Sequence, residues 1–113
     1  MRDLSTALPE ALRVKEAKEG FISMKDIPNG PTAIIPKQPI EDDGDGIHIL
    51  VGNMKTDYIE LGPVVDRVYE FTLPREWLID FAGSSEPLVF QYTYFAGGIN
   101  EIISEKTLYR ILH

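Results

Sequence analysis

Cysteine is absent from this 113-residue chain. That absence excludes disulfide bracing, thiolate metal sites and cysteine nucleophiles, and it removes the usual clue to redox compartment. Cations are scarce: 11 Lys and Arg stand against 18 Asp and Glu, for a formal net charge of -7. No Lys/Arg cluster interrupts this acidity, and an acidic surface repels phosphates, so no nucleic-acid partner is expected. Long apolar runs are also missing. The longest, residues 47–52, is broken by His48, far short of the roughly 20 residues that span a bilayer, so no membrane insertion is expected. The opening MRDLSTALPEAL has no basic stretch leading into an apolar one, so no secretory signal is legible and localisation stays open. Histidine occurs twice, at His48 and His113, and neither has a second ligand at metal-binding spacing. No metal or other cofactor is expected from them.

A hydrophobic content of 43% and a charged content of 26% are ordinary for one soluble globular domain. Short apolar stretches recur at residues 12–16, 32–35, 46–51, 57–61, 68–73, 88–95 and 106–112. They are separated by turn-forming clusters such as DIPNGP, EDDGDG and AGG. About seven short strands with turns between them predict an all-β, antiparallel β-sandwich. Alternation is clearest in the later strands. Tyr69, Phe71 and Leu73 share one parity; so do Leu88, Phe90, Tyr92 and Tyr94, and so do Ile47, Ile49 and Val51. Period-2 patterning of this kind gives a sheet one dry face and one wet face. Residues 75–81 break the pattern. Pro74 suits a first helical turn, Trp77, Leu78 and Phe81 meet on one helical side, and Gly83 ends the segment, predicting a short helical crossover between sheets. Residues 1–8 read as a loose N-terminal segment and 9–113 as one domain.

Taken in order, these features resemble the bacterial Ig-like repeat domains of large proteobacterial surface and secreted proteins, including adhesin and invasin types. The family's Leu-Pro opening and Gly-x-Leu step are similar to Leu8-Pro9, Glu16-Ala17 and Gly20-Phe21-Ile22. Its Asp-hydrophobic-Pro-x-Gly segment, with strand residues ending in Ile-Pro, resembles Asp26-Ile27-Pro28-Asn29-Gly30 and Ile34-Ile35-Pro36. Its Gly-Asp before a central strand resembles Gly44-Asp45. Its Phe-x-Val-Pro before a helical turn resembles Phe71-Thr72-Leu73-Pro74, and its Val-x-Val-x-Tyr strand resembles residues 88–94. The Gly-Asn-x-x-Ser loop is matched loosely by Gly98-Ile99-Asn100 and Ser104. Members often carry a Trp late in the central strand, where this chain has Val51, and a shorter loop where this chain has Ala-Gly-Gly. The resemblance runs from about Leu8 to Leu112. It implies an Ig-like sandwich with a structural or adhesive role, a secreted or surface setting, neighbouring Ig-like domains and no catalytic residues.

Several motifs invite a sharper chemistry. In EDDGDG, residues 41–46, the alternate acids Glu41, Asp43 and Asp45 resemble the start of a calcium loop. Position twelve, where a bidentate Glu would close the cage, is Gly52, so a solvated turn is the simpler reading. No Gly-x-Ser-x-Gly elbow is present, and Ser84-Ser85 follow a turn rather than a strand. Paired carboxylates for glycoside hydrolysis need a cleft that a small sandwich seldom holds. The glycine-containing stretches 81–85 and 96–98 lack the spacing and Lys of a phosphate loop.

Aromatics raise a different possibility. Phe95, Tyr58, Tyr109 and Trp77 are candidate ligand-contacting rings, and together they would make a stacking platform for a glycan. The Leu88-Phe90-Tyr92-Tyr94 parity reads instead as core, with tyrosine hydroxyls reaching backbone at the sandwich edge. The expected function is therefore a non-enzymatic structural or interaction module for a protein or glycan partner. The alternative is a small carbohydrate-binding module. Residues 37–45, 55–58 and 96–105 are the loops expected to be most free to bind.

Overall fold

The computed structural model describes residues 10–36, 45–61, 68–96 and 100–113. Within them the chain forms β1 (Arg13–Val14), β2 (Phe21–Ser23), β3 (Thr32–Ile35), β4 (Gly46–Val51), β5 (Met54–Lys55), β6 (Ile59–Glu60), β7 (Tyr69–Thr72), α1 (Glu76–Ile79), β8 (Leu88–Ala96), β9 (Asn100–Ile103) and β10 (Thr107–Leu112). The strands make two sheets. The smaller has the order β1-β3-β7; the larger runs β2-β10-β8-β4-β5, with β6 also on β4 and β9 also on β8. The molecule is an all-β sandwich.

All seven expected strands are present, and β3 and β4 keep their expected bounds. The strands expected at 12–16 and 57–61 shrink to the two-residue β1 and β6. Three strands are additional. Two of them, β2 and β5, are only 3 and 2 residues long, too short for alternation to be visible. The third, β9, lies in what reads as the 96–105 loop; residues 100–103 pair antiparallel with 93–96 of β8.

The pairings are antiparallel with one exception, β2 beside β10. Between β1 and β2 the chain leaves the smaller sheet through a tight turn with Glu19 at φ 51° and Gly20 at φ 85°. It then enters the larger sheet running in the same direction as the last strand. Two successive positive φ values match a two-residue turn whose twist suits flanking strands, and glycine takes the second without strain.

Burial follows sequence parity. Phe90, Tyr92 and Tyr94 are buried with Ile47, Ile49 and Val51 from β4, and meet Ala33, Ile35 and Tyr69 of the smaller sheet in one core. Each large ring so placed removes on the order of 150–250 Å² from water. The crossover forms as expected: α1 buries Leu78, with Trp77 and Phe81 half-buried against the same core. Arg75, preceding α1, donates to the carbonyls of Ile27 and Met24 at 3.1 and 3.2 Å, which fixes where the crossover lies.

Two tyrosine hydroxyls and one threonine hydroxyl are fastened to backbone distant in sequence. Tyr92 donates to the Glu10 carbonyl at 2.9 Å, Thr107 Oγ1 donates to the Leu12 carbonyl at 2.8 Å, and Val14 N–H donates to the Tyr109 hydroxyl at 3.1 Å. Alternate residues 10, 12 and 14 are thus tied to the larger sheet, while Val14 pairs with Ala33 of the smaller one. The bonds close one side of the sandwich. They differ from a tyrosine corner, whose hydroxyl reaches only a few residues upstream.

One local device shapes the larger sheet. Ile103 lies opposite Thr93, and Thr107 lies opposite Phe90. Residues 104–106 therefore span what β8 covers with Gln91 and Tyr92, a one-residue β-bulge. Ser104 fills it. Its N–H donates to the Tyr92 carbonyl at 2.9 Å, and its buried Oγ accepts the Tyr92 N–H at 3.0 Å. A side-chain oxygen replaces the ladder partner that the bulge displaces, so no buried amide is left unpaired there.

Candidate functional site

Directly opposed residues of paired strands share a face, so the register defines what the larger sheet shows to the outside. One row is Ile103, Thr93 and His48; a second is Glu101, Phe95, Gly46 and Glu60; a third is Gln91, Leu50 and Lys55; a fourth is Leu108 and Val89. Beyond the fourth row lie Arg110, beside Phe21 of β2, and then Leu112. Several of the protein's exposed large hydrophobics fall here: Leu108, Ile103, Leu112, Tyr58 and Phe21. Half-buried Val89, Leu50 and Phe95 lie between them. Thr93 is 4% exposed despite its outward parity, hemmed by its row partners.

At one end of this face the sequence places glycine where an aromatic must lie flat. A Cβ on Gly46 would sit 2.4 Å from the Tyr58 ring and 2.6 Å from the Ile59 carbonyl oxygen. Tyr58 therefore covers a bare stretch of β4. Its ring meets those of Phe95 and His48 edge-on, with all three centroid separations between 5.5 and 5.8 Å. That geometry suits the ring quadrupoles. His48 Nδ1 is 2.9 Å from the Thr56 carbonyl. A carbonyl only accepts, so Nδ1 carries the hydrogen of this bond. Thr56 Oγ1 accepts from Ile49 N–H at 2.9 Å, holding the 56–58 link along β4.

Of the four candidate rings, Tyr58 and Phe95 come together. Trp77 lies on the crossover, and Tyr109 is 8% exposed, edge-on to Phe90 in the core. The four do not assemble one platform. Alternation with Ile47, Ile49 and Val51 gives His48 the opposite parity but no cluster with these rings; its opposition to Thr93, two residues from Phe95, becomes legible only once register is known.

Asp45 is fully buried, and its Oδ2 accepts from the Tyr94 hydroxyl at 2.6 Å. It serves as an internal hydrogen-bond acceptor, while Glu41 and Asp43 lie outside the described residues. Among the described residues, no group of three or more His, Asp or Glu is placed to hold a metal ion. Ser84 Oγ accepts from Glu86 N–H at 3.1 Å, an ordinary turn contact. A cleft of about 550 Å³ opens on the outer side of the smaller sheet, with Glu10, Arg13, Ile34 and Val68 in its lining. Among the described residues its charged groups are one acid and one guanidinium, and no nucleophile lines it beside them.

No helix among the described residues is long and apolar enough to cross a membrane. Comparison with known proteins gives no match: no family model, no curated protein and no solved structure is significantly similar to this chain.

Proposed function

We propose that the chain is a non-enzymatic, Ig-like interaction module of the bacterial surface or secreted type, and that its contact surface is the outer face of the larger sheet. The observation carrying this reading is the concentration of Leu108, Ile103, Leu112, Tyr58 and Phe21 on that face, around half-buried Val89, Leu50 and Phe95. Exposed apolar residues gathered on one surface, rather than scattered singly, mark sites of association. Strand order supports the Ig-like assignment. First, third and seventh strands form one sheet, and the last strand lies beside the eighth, which lies beside the fourth. Immunoglobulin-type sandwiches likewise place strands A, B and E in one sheet and C, F and G in the other, here β1, β3, β7 and β4, β8, β10, whereas β6, at the place of strand D, pairs with β4 instead.

The apolar surface is tested with the dye 8-anilinonaphthalene sulfonate at micromolar protein. The native domain should enhance its fluorescence, and the Leu108→Glu, Ile103→Glu double variant should lose most of that signal. Equal signals from both would remove the basis of the reading. A carbohydrate-binding module is favoured only by the Tyr58–Phe95 contact. Affinity electrophoresis through soluble polysaccharides separates the two: an interaction module for proteins runs unretarded, whereas retardation abolished by Phe95→Ala would transfer the function to glycans.

A further inference from the structure

Charge on the outer face is not distributed as it is on the rest of the protein. The chain carries a formal -7, yet the ladder rows of this face hold two cations, Lys55 and Arg110, and two anions, Glu60 and Glu101. These four occupy the corners. Lys55 and Glu60 lie on the β5/β6 side, both paired to β4; Arg110 and Glu101 lie on the opposite side, on β10 and β9. Along the strands the separation is by sign. Both glutamates share the Phe95 row, whereas Lys55 is in the Gln91 row, about 14 Å away at the usual rise per residue. Arg110 lies further in the same direction, past Leu108. Glu105 and Lys106, consecutive in the bulge, are of opposite sign, and Asp57 lies at the sheet edge between β5 and β6. Apolar residues thus run along the face, with positive charge toward the Leu108 end and negative charge at the Phe95 end.

Such a surface is self-complementary in one orientation. Resting on the reading of this face as the contact surface, we propose that its partner is a second copy of the chain. The two copies pack face to face about a two-fold axis that lies in the interface and runs across the strands. That operation reverses strand direction in the mate. With the axis between the Thr93 and Gln91 rows, Arg110 comes within about two residues, roughly 7 Å along the strand, of Glu101 of the other copy, and Lys55 comes equally near its Glu60, distances their long side chains can span; each pair occurs twice because the contact is isologous. The other in-plane two-fold, along the strands, sets Arg110 against Lys55 and Glu60 against Glu101. It is disfavoured by four like-charge contacts. Leu108 and Val89 of one copy fall near Ile103 and Phe95 of the other. The centre is apolar and the rim charged, as in stable protein interfaces.

Size sets the expected strength. Five strands at about 4.8 Å and a length of about 24 Å give a face of roughly 500–600 Å², or about 1,100 Å² for both copies. That is the low end for specific association, the size of a weak, concentration-dependent contact rather than of an obligate dimer. Screening by salt should weaken the pairing, because the rim pairs that orient it are solvent-exposed.

Sedimentation equilibrium on the whole chain between about 5 μM and 1 mM tests this. A monomer–dimer equilibrium is expected. Leu108→Glu should weaken it at least tenfold, with an unchanged far-ultraviolet circular dichroism spectrum. Arg110→Glu, which places two glutamates together at each pair, should also weaken it at least tenfold, and adding Glu101→Arg should restore the parental constant to within about threefold. A protein that stays monomeric at 1 mM overturns the proposal. So does a dimer indifferent to these substitutions, or a charge reversal that fails to rescue. Failure here is distinguishable from failure of the interaction reading: a monomer that still shows the dye signal lost in the Leu108→Glu, Ile103→Glu variant keeps the apolar face and calls for a different partner.

Discussion

Alternate residues of β8 occupy two unlike environments. Leu88, Phe90, Tyr92 and Tyr94 face the smaller sheet and are buried, whereas Val89, Gln91 and Phe95 face outward and are half-buried. Both parities are largely apolar, so hydrophobicity alone does not separate them. Partners do. Inward residues meet a second sheet and find their hydroxyl partners within the molecule: Tyr92 reaches Glu10, and Tyr94 reaches Asp45. Outward residues have no second sheet over them among the described elements, and the charged groups beside them stand at the margins of the face. The contrast teaches that one face of the larger sheet stabilises the fold, whereas the other, by the proposal above, serves a partner.

That division can be broken from the inside first. Phe90→Ala should cost about 3–5 kcal/mol, the range for truncating a buried aromatic, read by urea denaturation. Ser104→Ala comes next. It removes the side-chain acceptor of a buried amide in the bulge and should cost about 1–3 kcal/mol, with the Tyr92 amide losing hydrogen-exchange protection first. Gly46→Ala tests the boundary between the faces. Its Cβ would meet both the Tyr58 ring and the Ile59 carbonyl, so displacement of β6 and a loss of about 1–3 kcal/mol are expected, visible as altered Tyr58 and Phe95 ring resonances. Least of all, Lys15→Ala should change stability by under about 0.5 kcal/mol. Its 3.5 Å pair with Glu70 lies on the exposed outer side of the smaller sheet.

Much of the inner face was legible in the sequence, because burial on one side imposes a period of two that Tyr69-Phe71-Leu73 and Leu88-Phe90-Tyr92-Tyr94 display openly. The crossover was legible for a similar reason: Pro74, the Trp77–Leu78–Phe81 spacing and Gly83 are local signals. What escaped depends on partners far along the chain. β2 has three residues and makes its ladder with β10, about ninety residues later, so no periodicity announces it. β9 follows a glycine pair and precedes a bulge. A single extra residue at Ser104 shifts parity between Ile103 and Thr107, and the alternation that would mark one continuous strand is lost. The candidate surface was legible only in part. Phe95 and Tyr58 were singled out as individual residues, but their contact with His48 requires the β4–β8 register and a glycine at 46 over which a ring can lie. The corner charges could not be placed without the strand order.

The contrast between the two faces is tested most directly by the stability of Leu108→Glu, measured by equilibrium urea denaturation at about 1 μM, well below the concentrations at which the proposed pairing would form. A free energy of unfolding within about 0.5 kcal/mol of the parent is expected for a substitution on an exposed surface. A loss above about 2 kcal/mol would contradict the division of labour, because Leu108 would then belong to the folding core and not to a surface held open for a partner.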